Sequence, residues 1–184
     1  QALPACFPPG RVVTLAPTYA EHPHAWRSHS LVALPAAQID AAVDDADTVL
    51  LVQPNNPDGQ RFGREQLLDW RARLAARGGR LIVDEAFLDA EPGDSLVPLA
   101  GAPGLVVLRS LGKFFGLAGA RVGFVFAEPA LLAALADRLG PWPISGPARV
   151  VATAALADRA WQAAAREQLR AASRRLAALL DRHG

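Results

Sequence analysis

The stretch TVLLVQPNNPDG, residues 48–59, has the pattern of a buried strand that ends in a turn. Its first five residues are almost all apolar at consecutive positions, which is typical of a strand covered on both faces in a mostly parallel sheet. Two prolines and a glycine then fix the turn. Similar β-rich runs lie elsewhere, so six strands are predicted; the other five are RVVTLA from Arg11, SLVAL from Ser30, RLIVDE from Arg80, GLVVLRS from Gly104 and RVGFVFA from Arg121.

Helical stretches separate several of these strands. AAQIDAAVDDA begins at Ala36, and REQLLDWRARLAARGG begins at Arg64. The second has Leu67, Trp70 and Leu74 on one side, arginines on the other and glycine at its end, as expected of a crossover helix. Right-handed strand–helix–strand units of this kind predict a three-layer α/β/α domain with a mostly parallel sheet, in which ligands collect at the carboxyl ends of the strands.

After Glu128 the sequence is helical throughout, apart from a PWPISGP break. PALLAALADRL precedes the break, and a long alanine- and arginine-rich amphipathic stretch, residues 148–182, follows it. We therefore expect a core over residues 1–145 and helices leading away from it over residues 146–184. The chain starts without methionine in what resembles the last turn of a helix and stops within another, so we expect a fragment.

Composition limits the class of function. The chain has 184 residues, of which 51% are hydrophobic, enough for the core of one domain. A net charge of +1 gives no electrostatic case for nucleic acid or a membrane surface as partner. Cys6 is the single cysteine, which excludes an internal disulfide, and no signal peptide or apolar span of about 20 residues is present. We expect a cytoplasmic protein that acts on a small molecule.

Unusual polar residues follow two of the buried strands. Asn55 and Asn56 stand in the turn after the strand from Thr48, where a short amide can donate a hydrogen bond to a ligand or simply shape the turn. Asp84 ends the strand from Arg80. A buried carboxylate is costly without a cationic partner, and a pyridinium nitrogen is one such partner. Helix capping or a salt bridge at the edge of the sheet is the alternative for Asp84.

A third group follows the strand from Gly104, in the segment LRSLGKFFGLAGARVG. It holds Ser110, Lys113 and Arg121 among glycines that allow a backbone to approach a ligand. Lys113 is the only lysine of the chain. Arginine stays protonated and cannot form an imine, whereas a lysine can lose its proton and act as a Schiff-base nucleophile. A solvated surface lysine is the alternative.

Taken together, QPNNPDG, DEAF, SLGK and Arg121 resemble, in this order, the fold-type I pyridoxal-phosphate superfamily of aspartate aminotransferase-like enzymes. The resemblance implies pyridoxal 5'-phosphate as cofactor. It implies that Lys113 forms the Schiff base and moves protons at the reacting carbon, that Asp84 pairs with the ring nitrogen, and that Asn56 donates a hydrogen bond to the ring oxygen.

Three further roles follow from the same resemblance. Ser110 and Arg121 would bind the cofactor phosphate, and Tyr19, in APTYAEH, occupies the position of the aromatic residue that lies against the ring face. Simple packing at a helix start is the alternative for Tyr19. The family also has an N-terminal phosphate-binding turn and a C-terminal small domain, neither of which is visible here. It usually forms homodimers, which we expect here.

Longer segments, among them PTYAEH, DEAFLD and GPWPISGPA, resemble the threonine-phosphate decarboxylase branch of cobalamin biosynthesis, which is related to histidinol-phosphate aminotransferase. Phe87 stands where the aminotransferases typically have a tyrosine. The resemblance implies decarboxylation of L-threonine O-3-phosphate to (R)-1-amino-2-propanol O-2-phosphate. A histidinol-phosphate type of aminotransferase is the second hypothesis, and a non-catalytic fragment or interaction module is the third.

Two smaller features complete the expectations. Asp58 replaces the usual threonine of the family's N-P-x-G turn, which a turn position should tolerate. His22, His24 and His29 lie close together but lack acidic or cysteine ligands at a fitting spacing, so no metal site is expected. We predict that the three histidines are exposed helix and loop residues.

Overall fold

The computed structural model describes residues 1–183 and contains all six predicted strands. Their bounds are β1 Arg11–Leu15, β2 Ser30–Leu34, β3 Thr48–Val52, β4 Arg80–Asp84, β5 Leu105–Ser110 and β6 Gly123–Phe126. They form one sheet in the order β2-β1-β3-β4-β5-β6, in which every neighbouring pair is parallel except β5 and β6. The predicted α/β class with a mostly parallel sheet is therefore confirmed.

Helices cover both faces of this sheet. Their bounds are α1 Glu21–Ala25, α2 Ala36–Ala42, α3 Arg64–Ala75, α4 Pro129–Leu139, α5 Gly146–Ala157 and α6 Arg159–His183. Successive residues of a strand point to opposite faces, so Val49 and Leu51 of β3 pack with α2 and α3, while Leu50 packs with Trp26 and α4. All five residues of β3 are buried, which explains its unbroken apolar run.

The predicted helical stretch over residues 148–182 is divided in two, which corrects the expectation of one long helix. Asp158 ends α5 with φ −77° and ψ 80°, and its carboxylate accepts a hydrogen bond from the backbone N–H of Trp161 at 2.9 Å. Aspartate stops one helix and caps the next because its short side chain bonds nearby backbone groups. The chain also begins with a short 3-10 turn, Leu3–Cys6, rather than with the last turn of an α-helix. In the part that the structure describes, no helix is long and apolar enough to cross a bilayer.

The topology brings several loops to one edge of the sheet. The carboxyl ends of β1, β3, β4 and β5 lie along this edge because these strands are parallel. The antiparallel strand β6 starts there, since Gly123 pairs with Ser110. Arg121, two residues before β6, therefore returns to the edge at which β4 and β5 end. Each of the six predicted cofactor-site residues ends, follows or precedes a strand at this edge.

Candidate active site

Asp84, the last residue of β4, already has two hydrogen-bond partners. Its Oδ2 lies 2.8 Å from Nε2 of His22, and its Oδ1 accepts the backbone N–H of Ala86 at 3.0 Å. Because an ionised carboxylate only accepts hydrogen bonds, we assign the proton of this contact to His22 Nε2. The Asp84 side chain is 15% exposed. A carboxylate has about four lone-pair positions, so Asp84 retains the capacity to accept one more donor from the open side.

His22 is not an exposed surface residue, and the prediction for it was wrong. Its side chain is only 13% exposed, and the edge of the Tyr19 ring packs against its imidazole with ring centroids 5.6 Å apart. The three-residue spacing that puts both side chains on one side of a helical turn is visible in the sequence, but the contact with Asp84 spans 62 positions. His24 is exposed, as predicted. His29 is half-buried, with its Nε2 3.2 Å from the carbonyl oxygen of Pro4, so the prediction for His29 was also wrong.

Asn55 fastens the turn after β3 to the loop after β1. Its amide nitrogen donates to the carbonyl of Pro17 at 3.0 Å and to Oδ1 of Asp58 at 2.7 Å, while its oxygen accepts from the hydroxyl of Thr18 at 3.1 Å. The loop that carries Tyr19 is thereby held beside the end of β3. Asn55 is buried, and both its amide nitrogen and its amide oxygen bond to the protein.

Asp58 stabilises the same turn in its ionised form. Its Oδ1 accepts the backbone N–H of Gln60 at 3.0 Å as well as the Asn55 amide. These two hydrogen bonds, the one from Gln60 having the larger effect, hold the pKa of the Asp58 carboxyl below its usual value of 3.8. The exchange of threonine for aspartate is therefore accommodated within the turn.

Asn56, the next residue, has a different environment. It is half-buried, and within residues 1–183 its amide makes no hydrogen bond to the protein. Asn56 follows β3, which pairs with β4 in the sheet, and Asp84 is the last residue of β4. Asn55 therefore stabilises the turn, whereas the amide of Asn56 is available to a ligand.

Ser110 and Arg121 line one small cavity of about 200 Å³, together with Gly112 and four apolar or glycine residues, Leu117, Ala118, Val122 and Gly123. The Ser110 hydroxyl oxygen accepts the backbone N–H of Gly112 at 3.1 Å, so its own O–H remains free to donate. A water molecule takes up about 30 Å³ in the liquid, so the cavity has room for a group of several heavy atoms. Hydroxyl and guanidinium groups, which these two residues carry, are donors that suit a phosphate.

Arg121 has a backbone conformation that is rare for a residue with a side chain. Its φ of 54° and ψ of 39° lie in the left-handed region, directly after the 3-10 turn Ala118–Ala120. Such residues cost of the order of 1–3 kcal/mol and cluster at functional sites. Glycine would fit this position without strain, so the retained arginine is consistent with a task for its side chain.

Lys113 lies in the loop between β5 and β6 and is exposed. Its Nζ is 5.2 Å from the centre of the Phe87 ring, within the range of a cation–π contact. Phe87 stands three residues after Asp84, so the lysine loop meets the loop that leaves β4. The residue that replaces the aminotransferase tyrosine is thus the one that faces the lysine amine.

Two pairs of the predicted site residues are brought together by the structure, without a direct contact within either pair. Asp84 and Tyr19 are joined through His22, and Ser110 and Arg121 share a cavity. Asn56 and Lys113 lie in the loops that follow β3 and β5, on either side of β4 at the same edge of the sheet, and no contact joins them to Asp84 within residues 1–183. A carboxylate for a cationic ring, a cavity for a phosphate and an amine for an aldehyde are the three groups that pyridoxal phosphate requires.

Comparison with known proteins identifies the family. The family model for aminotransferases of class I and II matches residues 1–184. This chain belongs to that family. It is 54% identical over 186 residues to the threonine-phosphate decarboxylase of Pseudomonas aeruginosa, covering 100% of this chain and 56% of the relative. It is 44% identical over 156 residues to the threonine-phosphate decarboxylase of a Sinorhizobium species, covering 84% of this chain and 47% of the relative.

More distant members of the class I and II family agree with this assignment. Histidinol-phosphate aminotransferases from several bacteria match at 38% to 42% identity. The solved histidinol-phosphate aminotransferase of Clostridium acetobutylicum superposes on 100% of this chain and 59% of its own length, with a TM-score of 0.88 at 22% identity, which shows the shared fold. The chain spans about half the length of the curated relatives it matches. These relatives depend on pyridoxal phosphate, which confirms the cofactor predicted for the family.

Proposed function

We propose that this chain is the cofactor-binding core of a pyridoxal-phosphate enzyme that decarboxylates L-threonine O-3-phosphate. The product would be (R)-1-amino-2-propanol O-2-phosphate, a compound of cobalamin biosynthesis. The observation that carries the choice of reaction is the 54% identity to a threonine-phosphate decarboxylase across the whole chain, against 38% to 42% for the aminotransferases. The contact between His22 and Asp84 supports the choice of cofactor.

The cofactor, when bound, would supply an electron sink for the electron pair that remains at Cα when carbon dioxide leaves. Asp84 would accept a hydrogen bond from the ring nitrogen and keep that nitrogen protonated. His22 would hold the Asp84 carboxylate in the direction that the ring needs. Asn56 would donate its free amide to the ring oxygen, and Tyr19 would cover one face of the ring beside His22.

The phosphate would occupy the cavity that Ser110 and Arg121 line. The guanidinium can donate two parallel hydrogen bonds to phosphate oxygens, and the serine hydroxyl can donate a third. A phosphate held in this way anchors the ring while bonds to Cα of the substrate change. Lys113, the only lysine, would hold the cofactor aldehyde and later deliver a proton to Cα.

A histidinol-phosphate type of aminotransferase is the second candidate, because such enzymes are also among the relatives. Phe87 favours the decarboxylase. It has no hydroxyl that could donate to the ring oxygen, and its ring faces the Lys113 amine instead. The proton chemistry at this position therefore differs from that of a tyrosine-containing site.

Product analysis of the intact protein separates the two reactions. With pyridoxal phosphate and threonine phosphate we expect release of carbon dioxide, which Lys113→Ala should abolish. With histidinol phosphate and 2-oxoglutarate we expect no glutamate. Glutamate formation without carbon dioxide release would replace the decarboxylase by the aminotransferase. Failure of the wild-type protein to bind the cofactor at all would leave the non-catalytic fragment or interaction module as the explanation.

The proposal includes a cytoplasmic homodimer, as predicted from the sequence and the family resemblance. Light scattering during gel filtration of the intact protein measures the mass of the assembly. A mass of two subunits supports the dimer, and a mass of one subunit contradicts it.

A further inference from the structure

A buried cluster of charged side chains lies on the face of the sheet opposite to His22. Glu85 is its centre and is 1% exposed. Its carboxylate accepts hydrogen bonds from the Ser95 hydroxyl at 2.6 Å, the Leu96 backbone N–H at 2.7 Å and the Arg109 guanidinium at 3.0 Å. The other terminal nitrogen of Arg109 donates to Asp89. We refer to Glu85, Asp89 and Arg109 as the Glu85 cluster.

Stability alone is a weak explanation for the Glu85 cluster. Taking two carboxylates and a guanidinium out of water is costly, and apolar residues of similar volume often stabilise a core as well or better. A buried ion pair with good geometry does fix the relative position of the elements that carry it. Here those elements are the ends of β4 and β5, where two of the candidate site residues lie.

The members of the cluster are sequence neighbours of those site residues. Glu85 directly follows Asp84, and Arg109 directly precedes Ser110. Successive side chains of an extended chain point to opposite faces of a sheet. Val83 and Val107 pack with α2 and α3, so Glu85 and Arg109 lie on that face, while Ile82 and Leu108 pack on the face of Asp84 and Ser110. The side chains of β4 and β5 therefore alternate between the two faces of the sheet in the same way.

Backbone hydrogen bonds join β4 to β5 beside these residues. The backbone N–H of Glu85 donates to the carbonyl of Leu108 at 2.9 Å, so β4 and β5 stay joined up to the residues of the cluster. When Glu85 and Arg109 are paired on one face, the directions of Asp84 and Ser110 on the other face are set. The pair therefore joins the two strand ends that carry Asp84 and Ser110.

The cluster also reaches the lysine loop. Arg166 of α6 donates from Nε to the backbone carbonyl of Asp89 at 2.9 Å. Its guanidinium lies 5.3 Å from the centre of the Phe114 ring, and Phe114 is the residue after Lys113. A continuous set of contacts thus joins the cluster to the segment that presents the amine.

We propose that Glu85 and Arg109 are positioning residues of the cofactor site: their buried pair holds Asp84 and Ser110 at the separation that the cofactor ring and its phosphate require. This inference rests on the proposed function, because it assumes that both residues contact the cofactor. We do not expect Glu85 or Arg109 to touch the cofactor. Their effect passes through the backbone of β4 and β5.

The test compares Glu85→Gln and Arg109→Met in the intact protein with a matched surface variant. Arg73→Met removes an arginine that also pairs with acids, here Asp40, Asp44 and Asp69, on the outer side of α3. We measure the dissociation constant of pyridoxal phosphate and the pH midpoint of the visible absorbance of the bound cofactor. We expect both cluster variants to bind the cofactor about tenfold more weakly, as outer partners of site ligands typically do, and to shift the midpoint. Arg73→Met should change the constant by less than about twofold.

Folded cluster variants with an unchanged dissociation constant and an unchanged midpoint would overturn the positioning role. Where a single variant fails to fold, the triple variant Glu85→Leu/Asp89→Leu/Arg109→Leu removes all three charges of the cluster together and leaves none of them unpaired. We expect it to fold and to bind the cofactor weakly. Wild-type affinity in the triple variant would also overturn the inference. Absence of binding in the wild-type protein would instead contradict the proposed function.

Discussion

Nε2 of His22 lies 2.8 Å from Oδ2 of Asp84, although the two residues are 62 positions apart in the sequence. The contact joins the short helix after β1 to the end of β4 and brings Tyr19 with it. It gives the carboxylate a fixed direction and leaves its open side to a further donor. The His22–Asp84 pair is therefore the part of the site that this structure defines most directly.

Replacement of His22 tests the importance of this pair. His22→Ala removes one of the two partners of a largely buried carboxylate, so we expect the dissociation constant of pyridoxal phosphate to rise about tenfold. His24→Ala is the matched control, because His24 lies in the same helix and is exposed. Cofactor titration followed by absorbance measures both. An equal loss of affinity in the two variants would show that the helix, and not the Asp84 contact, is responsible.

The neighbouring asparagines should separate stability from cofactor binding. Asn55→Ala leaves the Pro17 carbonyl and the Thr18 hydroxyl without their partner, so we expect the free energy of unfolding to fall by about 2 kcal/mol. Asn56→Ala breaks no hydrogen bond within residues 1–183 and should change that energy by less than about 0.5 kcal/mol while weakening cofactor binding. Urea unfolding and cofactor titration give the two quantities. The reverse pattern would mean that the roles of the two residues are exchanged.

Asp58 should make the turn sensitive to acid. Its pKa in the folded protein is below the usual 3.8, so its contribution to stability is fully present above that pH and is lost as the pH falls through the lowered folded pKa. We expect Asp58→Ala to lower the unfolding free energy at pH 7 and to have a smaller effect in strong acid. Unfolding curves of both proteins between neutral and acidic pH measure the difference. A difference that does not depend on pH would exclude the ionised carboxylate as its source.

Replacement of Arg121 tests whether its strained left-handed backbone is tolerated because its side chain binds the cofactor phosphate. Arg121→Gly relieves the left-handed backbone, which costs roughly 1–2 kcal/mol for a residue with a side chain, but it makes the unfolded chain more flexible. We therefore expect the unfolding free energy to stay within about 1 kcal/mol of the wild-type value. Cofactor binding should weaken, because the guanidinium of the phosphate cavity is lost. Unchanged affinity in Arg121→Gly would remove Arg121 from the phosphate site.

The sequence predicted local features of the fold well and contacts between distant residues poorly. Short β-rich runs, several of them apolar at consecutive positions as in β3, identified the strands, and the polar residues at their ends identified the edge of the sheet at which the candidate site residues lie. The pairing of His22 with Asp84 depends on the strand order β1-β3-β4, which no local pattern contains. The partners of Glu85 were missed for the same reason, since Ser95 and Arg109 approach it from a loop and another strand. The break at Asp158 was missed because alanine and arginine on both sides favour helix.

Reductive trapping of the cofactor on the protein locates the residue that holds pyridoxal phosphate, which we propose to be Lys113. Borohydride reduces an imine between a lysine amine and the cofactor aldehyde to a stable secondary amine, and peptide mass spectrometry then locates it. We expect the wild-type protein to carry the label on Lys113 and Lys113→Ala to carry none. Cofactor-loaded wild-type protein in which Lys113 stays unmodified after reduction would rule out this role of Lys113.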